Sequence, residues 1–126
     1  MVSHKIYFLD GYAKRTQNKG GKQLMNKYTL YIGLNDKDSK RQQLDNLEAS
    51  KIVQNILTEK TGGGTIYNAT GVYKHDDGTI IIENTLRVEI VAAALEAVKE
   101  AIRIIKAALN QESIILQTER VESVFI

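Results

Sequence analysis

The order of two hydrophobic periodicities along the chain constrains its fold more than any other feature. Residues 27–33 alternate with a period of two, which is typical of a half-buried strand. Apolar side chains then recur between residues 49 and 57 at a spacing of three and four, which predicts one apolar face of a helix. Asp45 lies three residues before Glu48 in a capping pattern, and three glycines at 62–64 end the predicted helix.

The second half of the chain continues with a hairpin, a helix and a strand. Residues 65–73 are rich in strand-forming side chains, residues 79–90 alternate, and Asp77-Gly78 lies between them. This dipeptide predicts a hairpin with a type I′ turn, in which both central residues have positive φ. A second helix is predicted over residues 92–109 and a last strand over 113–119. The apolar stripe of the second helix contains Leu95, Val98, Ile102, Ile105 and Leu109.

The element order β-α-β-β-α-β follows from these patterns. Because each helix has one broad apolar face, both helices are expected on one side of an antiparallel sheet. The predicted fold class is therefore α+β, ferredoxin-like or a close relative. The other sheet face is left open, and the alternation places Thr29 and Tyr31 on it. Asn84 falls instead on the apolar face of its strand, where a buried amide would need partners.

Three surfaces of this arrangement predict that copies of the chain assemble. The open sheet face is one, and the apolar tail at residues 121–126 is another. The third is a line of small residues on the second helix: Ala94, Ala97, Ala101 and Ala108. A neighbouring copy that covers these surfaces would explain all three, and the alternative is a tail that folds back on its own domain. We therefore expect a homo-oligomer, a dimer or higher.

Charge divides the chain into a basic N-terminal arm, residues 1–24, and a single α+β domain, residues 25–126. Residues 1–27 carry a net charge of +5 and the remaining 99 residues a net charge of −3. A basic arm can grip phosphates, but a polar stretch such as residues 17–23 is also typical of a solvated leader. The second interpretation is favoured, so nucleic acid is an unlikely partner.

Motifs for catalysis or for metal binding are not recognised. The chain has no cysteine, and His75 with its two neighbouring aspartates is typical of a turn. The glycines at 62–64 leave a helix rather than enter one, which argues against a phosphate loop, and residues 35–39 lack the glycine and glutamate of a calcium loop. No enzyme activity, metal or cofactor is expected. No apolar run approaches the about 20 residues of a membrane span, so a cytoplasmic location is expected.

What remains is a set of side chains suited to a nucleotide-like ligand. Tyrosines stack on bases, asparagine reads a base edge, and arginine binds phosphate in a bidentate manner. Each of these residues also has an ordinary structural interpretation as a core, interface or solvating side chain. The candidate ligand-binding residues are Tyr67, Tyr73, Asn84, Arg87, Arg103, Lys106 and Arg120.

Four segments, residues 28–38, 69–78, 82–90 and 109–114, resemble a family of small phage proteins, the first type of Thoeris anti-defence protein. The resemblance covers about residues 25–126. It implies an oligomeric α+β sponge that sequesters a cyclic ADP-ribose-type signal, or a cyclic oligonucleotide, without cleaving it. The protein would then act in the host cell cytoplasm and block a bacterial Thoeris-like defence. The alternative is a regulatory domain of ferredoxin-like oligomeric type that senses a small metabolite.

Overall fold

Four strands and two helices follow one another in the computed structural model, which describes residues 21–126. The predicted order β-α-β-β-α-β is confirmed. The elements are β1 (Gln23–Gly33), α1 (Asn46–Lys60), β2 (Thr65–Lys74), β3 (Ile80–Val91), α2 (Leu95–Ala108) and β4 (Ile115–Ser123).

The strands form one antiparallel sheet in the order β2-β3-β1-β4. The central pair, β1 and β3, places Leu30 opposite Val88 and Tyr31 opposite Arg87. Because side chains alternate across a strand, the first pair lies on one sheet face and the second pair on the other. This order, with both helices on one face, is the predicted ferredoxin-like arrangement.

The hydrophobic core lies between the two helices and the inner face of the central strands. Fully buried side chains contribute about 1.5–3 kcal/mol each relative to exposure, so this layer supplies most of the driving force for folding. The predicted helical stripes are confirmed at the buried positions Ala49, Val53 and Leu57 of α1 and Val98 and Ile105 of α2, and Ala101 is buried beside them. They pack on Tyr28, Leu30 and Ile32 of β1 and on Leu86, Val88 and Ile90 of β3.

Local hydrogen bonds fix the ends of α1 as the sequence predicts. The carboxylate of Asp45 accepts a hydrogen bond from the backbone N–H of Glu48 at 2.8 Å, which satisfies one free donor of the first turn. The helix stops where Gly62 and Gly63 adopt positive φ angles of 84° and 136°. Glycine adopts this region without the steric cost that a Cβ imposes, so the chain leaves the helix here.

Asn110 ends α2 and holds the loop after β1. Its φ of 48° is left-handed, and the N–H of Gln111 bonds the carbonyl of Lys106 at 2.9 Å, as in a Schellman motif. The amide of Asn110 also donates to Asp36 at 2.6 Å and to Asp38 at 2.9 Å. The backbone N–H of Ser39 and this amide together lower the pKa of Asp36 to about 2. The loop predicted as merely solvated is therefore tied to the end of a helix.

The predicted β2–β3 hairpin is confirmed, but the predicted type I′ turn is wrong. Gly78 has a φ of 90°, whereas Asp77 is not among the residues of positive φ. The N–H of Gly78 bonds the carbonyl of His75 at 2.9 Å, and the N–H of His75 bonds the carbonyl of Thr79 at 2.8 Å. This is a type I turn followed by a left-handed glycine. The Asp77 carboxylate accepts from Thr79 N–H at 2.9 Å, which favours the ordinary φ of Asp77.

Several element boundaries differ from the sequence prediction. β1 begins at Gln23, which pairs with Ser123, so the strand starts before the predicted domain boundary at residue 25. β4 extends to Ser123 and includes Val121, which was predicted in the tail. α2 starts only at Leu95, whose side chain is 41% exposed rather than in the core, because Ala92 has a left-handed φ of 60°. Residues 1–20 of the predicted arm lie outside the described residues.

The far end of the β2–β3 hairpin extends beyond the helices. Val72, Ile80 and Ile82 point to the helix side of the sheet and are 65%, 61% and 68% exposed. Asn84, on the same side, is exposed rather than buried as predicted, because the helices do not reach it. The tail residues Val124 and Ile126 are exposed as well, while Ala101 of the small-residue line is buried in the core. Apolar surface of this kind is typical of an interface.

A second copy is expected to cover this hairpin. Light scattering should give a mass of at least twice 14.1 kDa for the full chain at micromolar concentration. Changing both Ile80→Ser and Ile82→Ser should shift the mass toward the monomer. Leu47→Ser is the matched control, because Leu47 is equally exposed but lies on α1. A monomeric full-length chain would contradict this expectation.

Candidate ligand-binding site on the open sheet face

A row of three side chains crosses the sheet face that lies opposite the helices. Arg87 of β3 pairs with Tyr31 of β1 on one side and with Tyr67 of β2 on the other. Its guanidinium carbon is 5.9 Å from the ring centroid of Tyr31 and 5.4 Å from that of Tyr67. Both distances are within the range of cation–π attraction, so two rings from neighbouring strands position the arginine.

Glu89 lies next to this row and fixes the arginine further. A carboxylate oxygen of Glu89 is 2.9 Å from the guanidinium of Arg87 and 3.3 Å from the ammonium of Lys27, and the hydroxyl of Tyr67 donates to the other oxygen at 2.8 Å. The hydrogen bond from Tyr67 is the largest cause of a lowered pKa at Glu89, and the same bond raises the pKa of Tyr67. Glu89 is therefore held as the anion of the cluster.

One donor of the arginine is left free. The Nε atom of Arg87 is buried and has no hydrogen-bond partner within residues 21–126, although the side chain as a whole is 39% exposed. Buried polar atoms are normally paired, so an unpaired one calls for an explanation such as a ligand or water. Because Nε is buried, a ligand on the surface would reach the exposed part of the side chain rather than this donor.

A strip of the open sheet face, which we call the trough, continues from this row toward the hairpin tip. Its floor is formed by Thr85 and by three residues with little or no side chain, Gly33, Ala69 and Gly71. The carboxylate of Glu83 lies over Gly33 and accepts a hydrogen bond from the backbone N–H of Asn35 at 3.1 Å. The small floor residues are covered in part by their neighbours, since the Glu83 carboxylate lies over Gly33 and the hydroxyl of Thr85 lies beside Gly71.

Tyr73 forms the far end of the trough. It pairs with Ile81 and makes an edge-to-face contact with His75, the ring centroids being 5.5 Å apart. Desolvation, followed by the nearby charge of Glu83, raises the pKa of Tyr73. Tyr67 and Tyr73 are 42% and 45% exposed, so each presents ring surface to solvent at opposite ends of the trough.

Three of the seven residues predicted as a site lie on the open face: Tyr67 and Arg87 are in contact, and Tyr73 lies six residues further along β2. The other four lie elsewhere, because they are on the helix side of the sheet or on α2. Asn84 bonds Gln42 at 2.8 Å, and Arg120 donates to Asn26 at 3.3 Å. Arg103 pairs with Glu100, and the side chain of Lys106 is exposed on α2. Within one chain, these four cannot share a ligand with the open face.

Sequence reasoning missed four members of the site: Tyr31, Lys27, Glu83 and Glu89. The alternation placed Tyr31 and both glutamates on the open face, but it gave no reason to select them. Their signal is the pairing register, which aligns Tyr31 with Arg87 and Thr29 with Glu89. Within residues 21–126, no group of three or more His, Asp or Glu side chains is arranged to hold a metal ion. Neither helix in this part of the chain is long and apolar enough to cross a membrane.

The fold and site define a ferredoxin-like domain with a polar, aromatic open sheet face. The chain belongs to the DUF3574 family, described as a protein of unknown function, whose model matches residues 27–125. No curated protein matches the chain.

Solved structures of similar fold include two complexes with adenine-containing ligands. A phage SAM lyase in complex with S-methyl-5′-thioadenosine is 16% identical with a TM-score of 0.59, covering 80% of this chain and 90% of its own. The Bacillus subtilis GlnK–ATP complex is 14% identical with a TM-score of 0.51, covering 78% and 82%. CutA from Synechococcus elongatus is 9% identical with a TM-score of 0.55, covering 82% and 85%. At these identities the likeness shows the fold.

Tyr67→Phe should raise the pKa of Glu89 toward its ordinary value, because it removes the largest cause of the lowering. A carboxylate whose pKa is lowered by folding stabilises the fold above its unfolded pKa, and this stabilisation is lost as the pH falls through the lowered value. The variant should therefore lose less stability than the natural chain between neutral and acidic pH. A carbon-13 NMR titration of the carboxyl groups measures the pKa directly.

Tyr73→Phe is the matched control, because Tyr73 does not contact Glu89. An unchanged pKa at Glu89 in Tyr67→Phe would show that the hydroxyl does not hold this carboxylate in solution.

Proposed function

We propose that the protein binds an adenine nucleotide-type small molecule on the open sheet face of a homo-oligomer and does not convert it chemically. The observation that carries the proposal is the position of Arg87 between Tyr31 and Tyr67. An arginine that is already oriented loses less conformational entropy when it binds phosphate. Exposed tyrosine rings at both ends of the trough supply stacking surface for a base.

Two similar structures support this choice of chemistry. One holds S-methyl-5′-thioadenosine and the other holds ATP, and both ligands carry an adenine and a ribose. The trough of the present chain offers a matching set of groups, with ring surface from Tyr67 and Tyr73 and a cation from Arg87. The support is for the class of ligand, since the fold by itself does not determine function.

The specific form that we propose is an immune-evasion sponge of a phage. The ligand would be a cyclic ADP-ribose-type or cyclic oligonucleotide signal, sequestered in the host cytoplasm so that a Thoeris-like defence is not triggered. The resemblance of the four sequence segments supports this form. A sponge acts at low signal concentration, and a nanomolar dissociation constant corresponds to about −12 kcal/mol. A few charge-assisted hydrogen bonds at about 1.5–3 kcal/mol, with stacking at about 1–3 kcal/mol per base, supply energies of that order.

A metabolite-sensing regulatory domain is the second candidate. It is favoured by the β2–β3 hairpin, whose strands carry both Tyr67 and Arg87 of the site and the exposed Val72, Ile80 and Ile82. A ligand in the trough would contact the same two strands that present this apolar surface. A sensor would then change its partner binding when the ligand is present, whereas a sponge would not.

Isothermal titration of the full chain against cyclic ADP-ribose isomers, ADP-ribose, ATP and cyclic oligonucleotides tests the proposal. At least one member should bind, and Arg87→Lys should weaken that binding about tenfold or more, because lysine lacks the planar fork of donors. Arg103→Lys is the matched control and should leave affinity unchanged, since Arg103 lies on α2. Binding to no member of the panel would overturn the proposal.

Recovery of the ligand separates binding from catalysis. After incubation and heat denaturation of the protein, chromatography should return the bound nucleotide intact. Release of a degraded product in place of the ligand would make the protein an enzyme.

A further inference from the structure

Glu83 is the acidic side chain of the trough that no cation neutralises. Its strand position lies on the open face, opposite Gly71 of β2. Among residues 21–126, no lysine, arginine or histidine lies within 4 Å of its carboxylate. Glu89, three rows further along β3, is in contrast held by both Arg87 and Lys27. A lone carboxylate on this face is therefore a feature that the arginine cluster does not explain.

The backbone fixes where this carboxylate lies. One oxygen accepts the hydrogen bond from Asn35 N–H, and the group rests on the bare backbone of Gly33. A Cβ at Gly33 would come within 2.6 Å of one carboxylate oxygen and 2.7 Å of the other. Glycine at this position is thus what allows the carboxylate to occupy the floor of the trough. The second oxygen has no partner within the described part of the chain.

We propose that Glu83 accepts hydrogen bonds from the 2′ and 3′ hydroxyls of a ribose, so that the ligand is a ribonucleotide with a free vicinal diol. An ionised carboxylate only accepts hydrogen bonds, and its two oxygens can meet the two O–H donors of a diol. An acidic side chain that bonds a ribose hydroxyl is the device of dinucleotide-binding folds. This inference rests on the proposed function and names the sugar that the same site reads.

The neighbours of Glu83 agree with a nucleotide lying along the trough. Tyr73 is one row away toward the hairpin tip, about 7 Å along the strand direction. Arg87 is four residues away in the opposite direction, about 14 Å between Cα atoms. A base on Tyr73 and a ribose on Glu83 would direct the phosphates of a nucleotide along the face toward Arg87. Gly71 has no side chain on this path, and the hydroxyl of Thr85 lies 2.9 Å from where its Cβ would be, so a ligand here would contact that hydroxyl.

The proposal also distinguishes cyclic oligonucleotides from nucleotides that keep a free ribose diol. A cyclic oligonucleotide with 3′–5′ linkages has no ribose with both hydroxyls free, so it cannot give Glu83 a diol. A nucleoside diphosphate has one. The trough should therefore favour ADP over cyclic triadenylate.

Titration calorimetry of the full chain with ADP, 2′-deoxy-ADP, 3′-deoxy-ADP and cyclic triadenylate tests the inference. ADP should bind at least tenfold more tightly than either deoxy analogue, and Glu83→Gln should remove most of that preference. Gly33→Ala should have the same effect by displacing the carboxylate, and Glu112→Gln, on an exposed loop, is the control. Circular dichroism checks that each variant is folded.

The possible failures are distinct. Binding of ADP that is equal to that of both deoxy analogues, with the Arg87→Lys effect intact, would overturn the diol inference and leave the proposed function standing. Failure of every nucleotide in both panels to bind would overturn the proposed function and this inference together.

Discussion

The antiparallel register between β1 and β3 is the constraint on which both the core and the candidate site depend. Leu30 opposite Val88 belongs to the buried layer, and the next pair, Tyr31 opposite Arg87, belongs to the open face. A slip of one residue would turn the apolar side chains of the strand to solvent and its polar side chains into the core, which would destabilise the fold. Burial of the core therefore also sets the distances within the arginine cluster.

The element order could be predicted from the sequence because periodicity reports which side of a strand or helix is apolar. It does not report how far the covering layer extends. Ile80 and Ile82 share the face of Leu86, yet the helices cover only Leu86. The prediction that Leu95 belongs to the core is wrong for a related reason, since the chain turns at Ala92 and the helix starts at the margin of the core. Coverage depends on helix placement, which is a tertiary property.

The candidate site was predictable only in part. Tyr67 and Arg87 were chosen for their chemistry, and their direct pairing follows from the hairpin register. Arg103, Lys106 and Arg120 were chosen by the same criterion, but side-chain type carries no information about which face a residue occupies. Arg120 instead bonds Asn26, whose amide reaches the hydroxyl of the buried Tyr28. Glu83 went unrecognised because its role depends on Gly33, a neighbour that is distant in sequence.

The central claim is that a nucleotide binds on the sheet face opposite the helices. Backbone amide NMR of the isotope-labelled chain, titrated with the nucleotide that binds most tightly, tests this most directly. The largest shift changes should fall on β1, β2 and β3 around Tyr31, Tyr67 and Arg87, with small changes along α2. Changes concentrated around Arg103 and Lys106 of α2, with the open face unperturbed, would contradict it.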